Sequence, residues 1–232
     1  MRKCMTIHRR LAASVLSTPM LLAALLVGGC TGSERQSRIS YSSGPVPGSS
    51  FQDAAGRPPT ANTLYRMAKI LAAQGKLLHS ETVLRTTIKR YPKFMPAHCE
   101  LAGVLVAQRK ITAAAQTLQH ALQINPNDPV LLNDLGMCWM LMGAYEDALA
   151  AFSEAVDAAP QDARYKANMA LVTGLLGRYE QSLALYQQVL RPSRAHHNLA
   201  VICKARHDYQ RAAEENAIVD SFANSNAGRA IH

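Results

Sequence analysis

Proline recurs at Pro92, Pro126 and Pro160, each thirty-four residues from the last. Gly143 and Gly177 keep the same interval, and Gly75 lies two intervals before Gly143. Ala68, Ala102, Gly136 and Ala170 share the register, as do Ser80, Ala114, Ala148 and Ser182. A fixed period of this length marks an array of like units, each burying its apolar face against its neighbours. The landmark residues describe the unit. Small side chains let helix backbones approach closely, a glycine ends one helix and a proline stops the next. Only 6% of residues are aromatic, while alanine and leucine dominate, which favours packed helices over sheet.

The clearest unit is LLNDLGMCWMLMGAYEDALAAFSEAVDAAP, from Leu131 to Pro160. Gly136, Ala148 and Ala155 are the small residues of its two helices, and Trp139 and Phe152 fill the gaps around them. Asp128-Pro129 reads as an N-cap followed by proline at the first helical position, and Asp162 caps the next unit in the same way. The pattern resembles the tetratricopeptide (TPR) consensus. That resemblance implies an all-α, right-handed solenoid of about five antiparallel helix pairs. In this register the repeats cover residues 61–94, 95–128, 129–162, 163–192 and 193–222, with helix pairs at 61–90, 96–123, 129–158, 163–190 and 193–221. Ala170 to Ala200 and Gly177 to His207 are thirty apart, so the fourth unit has lost four residues, about one helical turn. Its second helix is expected to shorten while the buried face keeps its phase. In the fifth unit His207 replaces the turn glycine, and polar Asn216 stands where Leu84, Leu118, Phe152 and Tyr186 stand before it. A more polar last helix suits a solvent-facing end of the array, with residues 223–232 as a disordered tail.

The front of the chain is of another kind. Met1 to Arg10 is basic, Leu11 to Val27 is mostly apolar, and Val27-Gly28-Gly29-Cys30 resembles a bacterial lipobox. On that reading residues 1–29 are a signal peptide and Cys30 becomes a lipidated first residue. An uncleaved membrane anchor over Leu11 to Gly29, or an ordinary signal peptide, are the alternatives. Pro19 and the glycine pair disfavour a stable membrane helix. Residues 30–60 read as a flexible tether: from Thr31 to Thr60, seven serines, four glycines and four prolines make up half the residues. By analogy with lipoprotein sorting, Thr31 in place of Asp favours the outer membrane, with the repeats facing the periplasm.

The formal charge of +9 is spread without a dense basic block, and four of the positive charges precede Cys30, so no nucleic-acid partner is expected. Cys4, Cys30, Cys99, Cys138 and Cys203 show no paired metal-ligand spacing, and the last three read as small buried hydrophobes within helices. His196-His197 points in two directions on a helix, which is poor for joint chelation, and both read as surface or groove residues. No catalytic or cofactor motif appears, so no enzyme, metal or cofactor is expected.

Solenoids of this type hold extended segments in a concave groove lined by the first helix of each repeat. By position in the TPR repeat, Asn133, Met137 and Met140 line that groove in the third unit. Arg164, Asn168 and Leu171 follow in the fourth, and Arg194 and Asn198 in the fifth. Carboxamides can both donate to and accept from a peptide backbone, methionines give an adaptable apolar surface, and the arginines suit an acidic or C-terminal carboxylate group. The alternative for Met and Asn is core filling and helix bridging.

The lipobox, the tether, about five repeats and a shortened fourth unit before HHNLAVICKARHDYQRAAEENAIVDSF together resemble the TadD-like TPR lipoproteins of tight-adherence (Flp) pilus systems. The resemblance covers about residues 20–222, and His207, where such proteins more often carry glycine, departs from it. It implies a non-enzymatic assembly factor whose partners are the secretin or other pilus components. An adaptor of another envelope process, such as type IV pilotin function, outer-membrane protein assembly or peptidoglycan-enzyme regulation, is the alternative.

Overall fold

A computed structural model describes residues 58–229. The signal peptide, Cys30 and all but the last three residues of the tether lie outside the described residues. Within them the chain forms ten helices and no strand: α1 (Ala61–Ala73), α2 (Leu77–Arg90), α3 (Met95–Ala107), α4 (Ile111–Ile124), α5 (Pro129–Leu141), α6 (Tyr145–Ala158), α7 (Ala163–Leu175), α8 (Tyr179–Gln187), α9 (Pro192–Ala205) and α10 (Tyr209–Arg229). Consecutive helices pair, and each second helix also packs against the first helix of the next pair. The result is an all-α solenoid. Among the described residues no helix is long and apolar enough to cross a membrane.

The caps act as the sequence implies. Asp128 accepts from the amides of Val130 and Leu131 at 2.9 and 3.3 Å, and Asp162 accepts from the amide of Arg164 at 3.0 Å. Thr60 caps α1 by accepting from Thr63 N at 3.2 Å. The turn inside every pair is one motif built five times. The first helix ends in a residue with positive φ: Gly75 at 76°, Arg109 at 65°, Gly143 at 79°, Gly177 at 84° and His207 at 63°. In each turn the following amide reaches back five residues, as Lys76 N donates to Leu71 O at 2.9 Å and Lys110 N to Leu105 O at 2.9 Å. Glycine takes this conformation at no steric cost, whereas a side chain there strains against its own backbone. Arg109 is exposed and bears that strain without any hydrogen-bonding role in the turn beyond its backbone. Arg109→Gly is therefore expected to stabilise the protein by about 0.5–1 kcal/mol, read as a higher denaturation midpoint with an unchanged slope.

The core runs along the array. Leu84, Leu118, Phe152 and Tyr186 occupy one position of successive second helices and are all 0% exposed. Each such side chain contributes roughly 1.5–3 kcal/mol by leaving water. A buried hydroxyl ties the two helices of the first and fourth pairs: Ser80 Oγ donates to Ala68 O at 2.8 Å and Ser182 Oγ to Ala170 O at 2.7 Å. Cys99, Cys138 and Cys203 are buried, as their helical placement implied.

Two boundaries differ from the sequence reading. The second helix of the fourth pair stops at Gln187 rather than 190, because Arg191 takes the extended conformation required before Pro192. It has nine residues where α2, α4 and α6 have fourteen. The last helix runs to Arg229, seven residues past the end of the fifth repeat read from the sequence.

Candidate functional site

Along the array the first helices also touch one another, α1 with α3, α3 with α5 and α7 with α9, which places them on the inner side of the curve. Their sixth repeat position forms a row across five helices: Arg66, Glu100, Asp134, Asn168 and Asn198. The row is polar, yet much of it is covered. Glu100 is 5% exposed, and burial raises its pKa against the opposing pull of Lys69 and a Tyr65 hydrogen bond. Lys69 Nζ lies 5.6 Å from the centre of the Tyr65 ring, so the first helix turns a cation and an aromatic towards this acid.

Asp134 is the most perturbed acid of the row. Burial lifts its pKa to about 7 and the Asp128 charge adds to the rise, while an Asn133 hydrogen bond and the Arg164 charge pull against it. A relay of amides leads into it: Asn168 Nδ2 donates to Asn133 Oδ1 at 2.7 Å, and Asn133 Nδ2 donates to Asp134 Oδ1 at 3.3 Å. The relay bridges α7 to α5 and uses part of the hydrogen-bonding capacity of both amides. Cys138, one turn further along α5, has its thiol pushed up to about 12 by burial, with the Asp134 charge adding to the rise.

The residues assigned to the groove fall into three depths. Arg164 and Arg194 are exposed at its mouth, and Asn133, Met137 and Asn168 are half-buried on its wall. Met140, Leu171 and Asn198 lie beneath it, at 9%, 2% and 7% exposure, and the first two pack with Phe152 and Ala170. For Met140 and Leu171 the groove assignment is corrected to core. Both are covered by their cluster with Ala148, Phe152 and Ala170. Arg164 is committed locally: its Nε donates to Asp162 Oδ1 at 2.8 Å and its guanidinium stacks 5.3 Å from the Tyr165 ring centre. That pairing holds the Asp162 carboxyl below its usual range.

The histidine pair separates. His197 is exposed on α9, while His196 turns inward and sits 2.5 Å from Glu215, an α10 carboxylate only 2% exposed that also accepts from Arg211 Nε at 2.9 Å. The surface reading of His196 is thereby corrected. The signal that could have revealed it is Glu215 itself, a charge at the position where the earlier second helices carry Val83, Thr117, Ala151 and Leu185. Among the described residues no three His, Cys, Asp or Glu side chains come together as a metal site. A separate hollow of about 440 Å³ opens where α6, α7 and α8 meet, lined by Leu149, Ser153, Met169 and Thr173 and edged by an Arg178–Glu146 ion pair at 3.1 Å. It contains none of the residues assigned to the groove.

Two tetratricopeptide-repeat family models match the chain, over residues 65–129 and 105–172. No curated protein matches it. Among solved structures it resembles a MamA double mutant of strain RS-1, with 19% identity, a TM-score of 0.58, and 72% of this chain covered against 96% of that one. YrrB, described as a TPR protein with an unusual peptide-binding site, gives 16% identity and a TM-score of 0.53, covering 67% of this chain and 82% of its own. The pilF protein of Pseudomonas aeruginosa gives 18% identity and a TM-score of 0.55, covering 69% and 75%. At these identities the likeness is one of fold. Repeats and architecture together define the class of fold: residues 65–172 match tetratricopeptide-repeat models, and the helix pairs stack as an all-α solenoid of that kind.

Proposed function

We propose that the chain is a lipid-anchored, non-enzymatic assembly factor of the outer membrane, facing the periplasm and serving Flp pilus assembly through the secretin or another pilus component. The observation that carries the scaffold reading is the inner face of α1, α3, α5, α7 and α9, where half-buried amides and Met137 lie between exposed bases at either end. An extended segment of a partner laid along it meets the Asn133–Asn168 relay midway and Arg194 beyond, so an acidic or C-terminal group fits the α9 end. The lipobox ending at Cys30 supports the anchor, and the shortened fourth repeat with its following Asn198-Leu199-Ala200 supports the pilus assignment. YrrB, with its described peptide-binding site, and pilF among the similar folds accord with this reading.

Pull-down of the full chain and of Cys30→Ser from envelope fractions tests both parts. Cys30→Ser is expected to leave the membrane fraction, and unchanged retention would sink the lipid anchor. Secretin or pilus subunits are expected with the native chain. Their absence from both forms would overturn the pilus assignment, and capture of a different envelope complex would move the reading to that process.

A further inference from the structure

The first helix of the array carries an apolar stripe that no described helix covers. In the later repeats the third, seventh and tenth positions of the first helix are packed inside. Ala97, Leu101 and Val104 are 0%, 2% and 3% exposed, and Ala195, Leu199 and Ile202 are 0%, 0% and 1%. In α1 the same positions are Thr63, Met67 and Ile70, with Met67 51% and Ile70 59% exposed. Large apolar side chains thus persist in register at the one repeat that has no preceding second helix among the described residues. At the opposite end α10 presents Tyr209, 64% exposed, together with exposed Ala213 and Asp220. These are the positions at which α6 uses Tyr145, Leu149 and Val156, partly buried beside the residues of α7.

Charge separates the candidate occupants. Arg66 and Lys69 are the charged residues of α1, which has no acid, whereas α10 exposes the acids Glu214 and Asp220, with Glu215 buried beside His196 and Arg211. Pairing α1 with a second α1 would oppose like charges, while pairing it with α10 opposes unlike ones. The chain's own residues 30–57 carry Ile39, Tyr41, Val46 and Phe51 as large apolar side chains, at spacings that match no helix face and are broken by Pro45 and Pro47, so their sequence offers no helix to continue the repeat. We propose that α1 receives α10 of a second copy of this chain, so that copies stack head to tail and the repeat continues across the junction. Such a contact is heterologous and open, able to extend beyond a dimer. With Met67 and Ile70 as its only large exposed apolar side chains on α1, the junction is weak and forms where copies are crowded. Its position at the two ends of the array leaves the inner groove open.

Cross-linking in intact cells tests this on the full chain. Ile70→Cys and Ala213→Cys are placed together in one chain, both at exposed sites, and treated with a short bis-maleimide beside the parent chain and each single variant. A ladder of dimers, trimers and longer species is expected from the double variant alone, and co-expressing the two singles is expected to stop at a dimer. Adding Asp220→Arg to the double variant is expected to remove most of the ladder. A dimer from Ile70→Cys alone would mean an α1–α1 contact and overturn the proposal. So would a double variant that gives no more cross-linked product than the parent chain.

Discussion

Gly136→Val is expected to destabilise the protein by about 3 kcal/mol or more, because the site has no room for a side chain. A Cβ at residue 136 would stand 2.7 and 2.8 Å from two ring carbons of Phe152. That ring is 0% exposed and packs in one cluster with Met140, Ala170 and Leu171, so it cannot swing out to make space. A β-branched side chain adds two more atoms to the same clash. The test is a denaturant titration with a double-mutant cycle. Gly136→Ala and Phe152→Leu are each expected to cost stability, and combined they are expected to recover at least about 1 kcal/mol of the sum, since the smaller side chain vacates what the new methyl needs. Strict additivity would mean that the two residues do not compete for one space.

Asp134→Asn is expected to change how stability depends on pH. The folded pKa of Asp134 is raised from 3.8 to about 7, so between those values the folded chain holds a proton that the unfolded chain has released. Binding more protons when folded means that stability is lost as pH rises through that window. At pH 4 the native chain and Asp134→Asn should be nearly equal, since both present a neutral group to the same pocket. Near pH 8 the variant should be the more stable by roughly 1–3 kcal/mol, below the full linkage value because the half-buried side chain leaves part of its charge screened by water. Urea midpoints measured from pH 4 to pH 8 check this. Parallel curves would show that the carboxyl is as well solvated in the fold as outside it.

Most of the backbone of this protein is legible from spacing. A thirty-four-residue period fixes where helices begin and end, and Asp128 and Asp162 cap where their neighbours implied. Arg109 gives no such signal, because the turn is defined by a left-handed backbone angle, and the register that leads to Gly75 and Gly143 passes through an arginine at that step. The groove is legible only as a face. Repeat position says which side of a helix looks inward, but depth depends on how the side chains of neighbouring helices close over each site. Met140 and Leu171 therefore go inside while Met137 and Asn168 stay on the wall. His196 and Glu215 pair across nineteen residues and two helices, a contact that neither periodicity nor motif encodes.

The shortened α8 bears on how such an array can change. Where it loses its last turn, α7 and α9 draw together until a Cβ at Gly174 would stand 3.0 Å from Ile202. The breadth of the inner face at that point is therefore set by the shortened chain together with the missing side chain of Gly174. Restoring four residues to the fourth repeat would spread α7 from α9 and reopen the wall, and trimming another second helix would narrow it elsewhere. In a protein of this design, gain or loss of a single helical turn adjusts the width of the groove, and point substitutions away from such close contacts adjust its chemistry.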